Sequence, residues 1–285
     1  MSENYRYKVM LRLKRHAFPK IGKIPISQLE LSNILEVISP MRDEGHIATA
    51  KALLQNIARI FSYAVLTGKA KYNIFINLKD ILPAVRTTHL ATITDATRVG
   101  ELMRRLDRYK GYFPLSCALR LAPLVFTRPS ELVGARWDDI DFENSEWRIP
   151  AKYMKMRRPH IVPLSSQVMG ILAELKTVTG DNPYLFPSKR NPAKPIQSVR
   201  LLLALRSLGY GKGEMCAHGF RSMASTFLNE MGYNGDWIER QLSHCPRDTV
   251  RATYNYAEYL SERRRMMQEW SDYLTTLKLK CKVEE

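Results

Sequence analysis

Between residues 136 and 164 the hydrophobic pattern of this chain changes period, and afterwards it changes back. Over residues 46–66, Leu53, Ile57, Ile60, Phe61, Ala64 and Val65 recur at steps of three and four, the spacing of one helix face. Gly68 is a stop for that helix, and a shorter helical pattern covers residues 27–38. In WDDIDFENSEWRIPAKYMKMRRPHIVPLS, by contrast, Ile140 and Phe142 alternate with acids and Asn144 marks a turn. Trp147 and Ile149 then alternate again, and residues 160–164 form a third short run. Around this insert the helical period dominates. Thr94 and Asp95 suit an N-cap, and residues 115–126 are apolar nearly all round, as in a buried helix. Further helices are expected over 165–175, 196–208, 218–231, 236–242, 248–257 and 260–277. The expected fold is mainly α with a small antiparallel β-sheet. Residues 82–94 lack periodicity and read as a linker, dividing a helical domain (1–88) from a mixed α/β domain (94–285).

Charge narrows the function. Lys and Arg number 44 against 28 Asp and Glu, a net charge of +16. Residues 1–90 hold fourteen of the bases and six of the acids, so both domains are basic and the first is the denser. Such an excess calls for a polyanionic partner, nucleic acid before an acidic membrane surface. Two basic bodies on a linker can approach a duplex from opposite sides. No run approaches the roughly 18 apolar residues of a membrane span. The N-terminus, charged at every second or third residue, lacks the apolar core of a signal peptide. The four cysteines are scattered with no CxxC pair, and no carboxylates converge on the six histidines. The expectation is a soluble protein of a reducing cytoplasm, with nucleic acid as partner and with no metal and no cofactor.

Several residues carry possible chemistry, each beside a plainer interpretation. Arg128 in VFTRPSEL precedes a helix start that Pro129 favours; it either grips a phosphate in bidentate fashion or simply pairs with Glu131. Lys155, Arg157, Arg158 and His160 make the hairpin YMKMRRPHIVPL a basic finger or a solvated charged turn. His218 and Arg221 share a helix face in AHGFR, where Gly219 permits close backbone approach. His244 in QLSHCPRDT is a pocket residue or a helix C-terminal cap. Tyr254 and Tyr256 lie about 200° apart on a helix, so both cannot face one pocket, and tyrosines on a helix face commonly serve packing. Taken together the set suits transfer at phosphorus. Two arginines would stabilise a five-coordinate phosphorus, a lysine would protonate a departing 5′ oxygen, and a phenol with a pKa near 10 would attack with that help.

With these residues in order, the chain resembles the tyrosine recombinases, in their phage and genomic-island integrase branch. The stretches that carry the resemblance are LRLAPLVFTRPSELVGARWDDIDFENSEWRIP, YMKMRRPHIVPLS, AHGFRSMASTFLNEMG and IERQLSHCPRDTVRATYNYAEYLSERRRMMQEWSDYL. It is strong from Thr94 to Leu274 and weaker over FPKIGKIPISQLE and TAKALLQNIARIFSYAV, which look like a helical core-binding domain. The resemblance implies roles. Arg128 and Arg221 would be the catalytic arginines, Lys155 the general acid, and His218 and His244 the pocket histidines. Tyr254 rather than Tyr256 or Tyr259 would be the nucleophile. Attack would leave a 3′-phosphotyrosyl DNA and a free 5′-hydroxyl, and a second 5′-hydroxyl would complete strand exchange without ATP.

The resemblance further implies double-stranded DNA as partner, a homo-oligomer (a tetramer) on that DNA, and accessory DNA-bending proteins. Arg157, Arg158 and His160 of the hairpin, with Lys51 and Arg59 of the first domain, are the candidate DNA contacts. Members of this branch usually carry a further N-terminal arm-binding domain. Roughly twenty residues precede the core-binding region here, so a chain lacking that domain is expected. Met266, Trp270, Tyr273, Leu274 and Leu277 form an apolar face that packs either in cis or on a neighbouring protomer. The competing functions are a truncated, non-catalytic DNA-binding remnant of a mobile-element integrase, and a topoisomerase using the same tyrosine chemistry.

Overall fold

Apolar stripes at helical spacing build the first part of the molecule. The structure, a computed structural model, describes residues 3–74, 82–83, 90–154, 157–244 and 258–280. Contacts divide the chain into Met1–Thr88 and His89–Glu285.

In the first unit, α1 (Glu3–Arg12), a π turn (Leu13–Ala17) and α2 (Phe18–Ile21) run on one from the next. Residues 1–88 were expected to be helical, but no separate helix was bounded over this stretch. Its stripe is Val9, Leu13, Ala17 and Ile21, the last three buried, set among charges at steps of four. In an α-helix such a stripe drifts by about 40° per step, and the wider π turn offsets that drift. Helix α3 (Leu31–Asp43) buries Ile34, Val37, Ile38 and Met41, and begins later than the expected 27–38 segment. Helix α4 (Ile47–Leu66) buries Leu53, Ile57, Phe61 and Ala64. Ile60 is the exception on that face, 41% exposed. The helix ends at Leu66, and Gly68 has φ +70°.

The second unit is organised around a buried helix. Helix α5 (Ala96–Asp107) is capped by Asp95, whose side chain accepts from the Arg98 amide. Helix α6 (Phe113–Val125) buries ten of its residues, from Pro114 to Val125, and so forms the middle of the core. After the short α7 (Pro129–Val133) come β1 (Ile140–Asp141), β2 (Glu146–Ile149) and β3 (His160–Pro163), an antiparallel sheet in that order. Ile140 pairs with Trp147, Trp147 with Val162, and Ile149 with His160. Then follow α8 (Ser166–Thr179), α9 (Val199–Ser207), α10 (Gly219–Glu230), α11 (Gly235–Gln241) and α12 (Leu260–Lys280). The expected 248–257 helix lies outside the described residues.

Helix α12 decides one open question. Met266, Met267, Trp270, Leu274 and Leu277 are all buried in the core of their own unit, so the face packs in cis. Trp270 Nε1 donates to the Pro123 carbonyl at 2.9 Å, and its ring meets Phe126 edge-on at 6.3 Å. The fold is mainly α with a small three-stranded antiparallel sheet. Among the described residues no helix is long and apolar enough to cross a membrane.

Candidate functional site

Four of the six residues singled out for chemistry lie within the described residues, and the fold brings all four together. Arg128 reaches the pocket because α6 ends abruptly. Phe126 caps that helix in the left-handed region (φ 34°, ψ 36°), a costly conformation for a bulky side chain, and the chain reverses there into Thr127 and Arg128. Pro129 then opens α7 with Arg128 as its N-cap. Glu131, buried within α7, accepts from both the Arg128 amide (3.0 Å) and Arg128 Nη1 (2.8 Å). Arg128 Nη2 donates to the Ser243 carbonyl at 3.0 Å. The pairing with Glu131 and the place in the pocket thus coexist, and the pairing fixes the guanidinium plane.

Arg221 comes from the first turn of α10 and is buried. Nη1 donates to the Phe126 carbonyl at 2.9 Å and Nη2 to the Leu242 carbonyl at 2.5 Å. Nη2 also lies 3.1 Å from His244 Nε2. Burial first, then the Arg128 charge, lowers the Arg221 pKa to about 10, against the opposing influence of Glu131 and Glu239. The guanidinium therefore remains charged at neutral pH, held by neutral carbonyls and a ring nitrogen rather than by a carboxylate. Such a site favours an anion.

His218 is the N-cap of α10 and half-buried. Burial, then Arg221, Arg128 and His244, hold its pKa below the ordinary histidine value, while Glu131 opposes them. All these groups act on one small space. The close approach expected of Gly219 is present: a Cβ there would stand 2.4 Å from the Ala91 carbonyl oxygen. Thr92 Oγ1 donates to the Gly219 carbonyl at 2.8 Å, tying the start of α10 to residues 91–92.

His244 follows α11. Ser243 adopts φ 51°, and the His244 amide donates back to the Glu239 carbonyl at 3.0 Å, a helix C-cap that turns the imidazole toward Arg221. The capping expected of this segment is thus made by its backbone. Lys155 and Tyr254 lie outside the described residues. Met154, just before the lysine, is buried; Glu258, four residues after the tyrosine, is hydrogen-bonded by Arg240 and by Arg263.

The candidate DNA contacts separate. Arg157 (φ 53°) and Arg158 are exposed on the hairpin. Arg59 is exposed and donates to the Tyr5 hydroxyl at 3.0 Å, and Lys51 is half-buried. His160 requires a correction. It is 5% exposed, and its Nε2–H donates to the Gln241 carbonyl at 3.1 Å. Burial, then the charges of Arg263, Arg240 and Arg221, push its pKa down to about 3, so at neutral pH it is neutral. It is an internal strut, not part of a basic finger. The signal was present: in a strand, residue 160 shares its face with residue 162, and Val162 is fully buried.

Arg263 was also missed. It is fully buried and donates to Gln241 Oε1 (3.1 and 2.6 Å), to the Ile161 carbonyl (2.5 Å) and to the Glu258 carbonyl (3.1 Å). Its spacing to Met266, Met267 and Trp270, at steps of three, four and seven, places it on the apolar face of α12 and was the signal available. With His160, it locks residue 241, three before His244. Among the described residues no cluster of three or more His, Cys, Asp or Glu is placed to hold a metal.

Comparison with known proteins identifies the family of the chain. Residues 93–260 match the phage integrase family, and residues 1–81 match the phage integrase central domain. The integrase of Enterobacteria phage P4 is 40% identical over 288 residues, covering 96% of this chain and 65% of that protein. The chain thus spans just under two thirds of that relative's length. Among solved structures, a lambda integrase dimer bound to a COC′ core site matches with a TM-score of 0.69 at 18% identity, covering 88% of this chain and 90% of that one. A lambda integrase tetramer bound to a Holliday junction matches with a TM-score of 0.68 at 17% identity, covering 87% and 74%. At these identities the likeness is one of fold.

Proposed function

This chain belongs to the phage integrase family, and from that premise we propose that it is a site-specific DNA recombinase that cleaves and rejoins DNA through a covalent 3′-phosphotyrosyl intermediate. The observation that carries the proposal is the convergence of Arg128, of His218 with Arg221, and of His244 from three separate segments. Both guanidiniums are fixed before any substrate arrives.

The chemistry follows from the groups. A scissile phosphate carries one negative charge, and a second develops on its non-bridging oxygens as the phosphorus becomes five-coordinate. Arg128 and Arg221 donate to those oxygens, and their preorganisation lets them act in the transition state without a reorganisation cost. The Tyr254 oxygen forms the new bond to phosphorus while the bond to the 5′ oxygen breaks. Lys155 supplies the proton that oxygen takes up. His218, kept largely neutral by its surroundings, is suited to receive the tyrosine proton, and His244 to orient the phosphate. The bond energy is stored in the phosphotyrosine, so rejoining needs no cofactor.

Arg157, Arg158, Lys51 and Arg59 serve affinity by contacting the DNA backbone, where contacts position without reading sequence. The first unit acts as the core-binding domain and residues 94–285 as the catalytic domain. The lambda integrase structures, a dimer on a core site and a tetramer on a Holliday junction, support assembly of this chain into a homo-oligomer, a tetramer, on double-stranded DNA. Accessory DNA-bending proteins would assist that assembly, and the protein would work at the bacterial nucleoid.

The test is a nicked suicide substrate carrying the attachment site. Wild-type protein is expected to yield a protein–DNA band that survives denaturation, and Tyr254→Phe is expected to abolish it with binding retained. Wild-type binding without such a band would overturn the enzymatic proposal and leave a DNA-binding remnant. Relaxation of supercoils with no site preference would instead indicate a topoisomerase.

A further inference from the structure

His244 is hydrogen-bonded through both ring nitrogens, and the two partners are chemically opposite. Nδ1 lies 2.8 Å from Glu239 Oε2, and Nε2 lies 3.1 Å from Arg221 Nη2. A carboxylate can only accept and a guanidinium can only donate. The tautomer is therefore forced: the neutral ring carries its proton on Nδ1 and turns the Nε2 lone pair to the pocket.

The backbone reinforces this arrangement. The His244 amide donates to the Glu239 carbonyl at 3.0 Å, so residues 239 and 244 are joined by main chain and side chain together. Ser243, in the left-handed region between them, carries the carbonyl that receives Arg128 Nη2. One turn thus sets the imidazole and one guanidinium at once.

We propose that Glu239 is a positioning residue for His244: it accepts a hydrogen bond from Nδ1–H, fixes the ring plane and holds Nε2 toward the Arg128–Arg221 pocket. Glu239 touches none of the reacting atoms and acts through the imidazole. When a phosphate draws the Arg221 N–H onto its own oxygen, Glu239 still holds the ring through Nδ1, so the imidazole keeps its place beside that phosphate. The inference rests on the recombinase proposal for its kinetic consequence, but its structural content is testable in the free protein.

The experiment uses the full chain as wild type, Glu239→Ala, Glu239→Gln, His244→Ala and the Glu239→Ala/His244→Ala double variant. Glutamine retains an oxygen that can accept from Nδ1–H; alanine does not. Nitrogen-15 NMR of the His244 ring in free protein is expected to show a hydrogen-bonded, slowly exchanging Nδ1–H in wild type and Glu239→Gln, and a rapidly exchanging one in Glu239→Ala. On the suicide substrate at saturating DNA, Glu239→Ala is expected to slow covalent trapping about tenfold, the worth of one charge-assisted hydrogen bond, with affinity unchanged. Glu239→Gln should recover most of that loss, and the double variant should be no slower than His244→Ala. An Nδ1 proton as protected in Glu239→Ala as in wild type, or an equal further loss on the His244→Ala background, would overturn the proposal. Should Glu239→Ala fail to fold, the NMR comparison is made with Glu239→Ser, whose shorter side chain must likewise release the Nδ1 proton. Absence of trapping by wild type would defeat the recombinase proposal alone, since the ring spectra would still decide the role of Glu239.

Discussion

The cations of the pocket and the cations of the hairpin are the same residue type in opposite physical states. Arg221 is buried and held by the Phe126 and Leu242 carbonyls, and Arg128 is clamped by Glu131 and the Ser243 carbonyl. Arg157 and Arg158 are exposed. The first pair is already in place when substrate arrives, at the cost of desolvating a charge. The second pair is hydrated and screened, so it contributes attraction that falls with salt. Under the proposed function, burial alone separates the arginines assigned to cutting DNA from those assigned to holding it.

The comparison can be broken most directly at Arg221. Arg221→Lys keeps the charge but cannot reproduce the donor fork that spans two carbonyls and a phosphate. Covalent trapping is expected to fall by about 10²–10³-fold, with DNA affinity nearly unchanged by gel shift. Parallel losses of cleavage and affinity would place Arg221 with the hairpin cations. A second break is at Arg263, the buried arginine that touches no substrate. Arg263→Ala leaves Gln241 Oε1 and the Ile161 and Glu258 carbonyls without their donor, and is expected to cost roughly 3 kcal/mol of stability by denaturant unfolding.

Acid sharpens the same contrast. His160 titrates at about 3 in the folded chain, against an ordinary value of 6.5. Between those values the unfolded chain binds a proton that the folded chain refuses, so stability is complete above pH 6.5 and is lost as pH falls. The loss is about 1.4 kcal/mol per pH unit from this one group. His160→Gln keeps a donor for the Gln241 carbonyl and is expected to remove that part of the slope in unfolding measured from pH 7 to pH 4. The smallest effect is expected outside the pocket. Arg157→Ala or Arg158→Ala should lower the slope of log affinity against log salt by about 0.9 for each phosphate contact removed, with trapping at saturation unchanged. An unchanged slope would exclude that arginine from the backbone contacts.

Much of this architecture is legible in the residue pattern, and the exceptions have physical causes. Helix α4 and the three strands follow from spacing, because a buried face must be apolar at the period of its element. The first domain was legible as helical, but the bounds of its first helix were not, because its stripe, Val9 to Ile21, is thin and set among charges, with a π turn that no simple period describes. His160 was misjudged by residue type and Arg263 was not singled out, yet each lies at a position whose period points inward. Arg128 and Arg221 could be nominated from local context, but nothing local shows that Glu131 would hold the one or that bare carbonyls would hold the other.

By itself the sequence determined which faces would be buried, where the helical period yields to alternation, and that both parts of the chain would be basic. Tertiary structure alone decided that Arg128, His218, Arg221 and His244 share one space, that α12 packs on its own unit, and that Glu239 meets His244. The reason is that this convergence is built from backbone carbonyls of Phe126, Leu242 and Ser243. Every residue carries such a group, so its position is a property of the folded chain and leaves no mark on residue type.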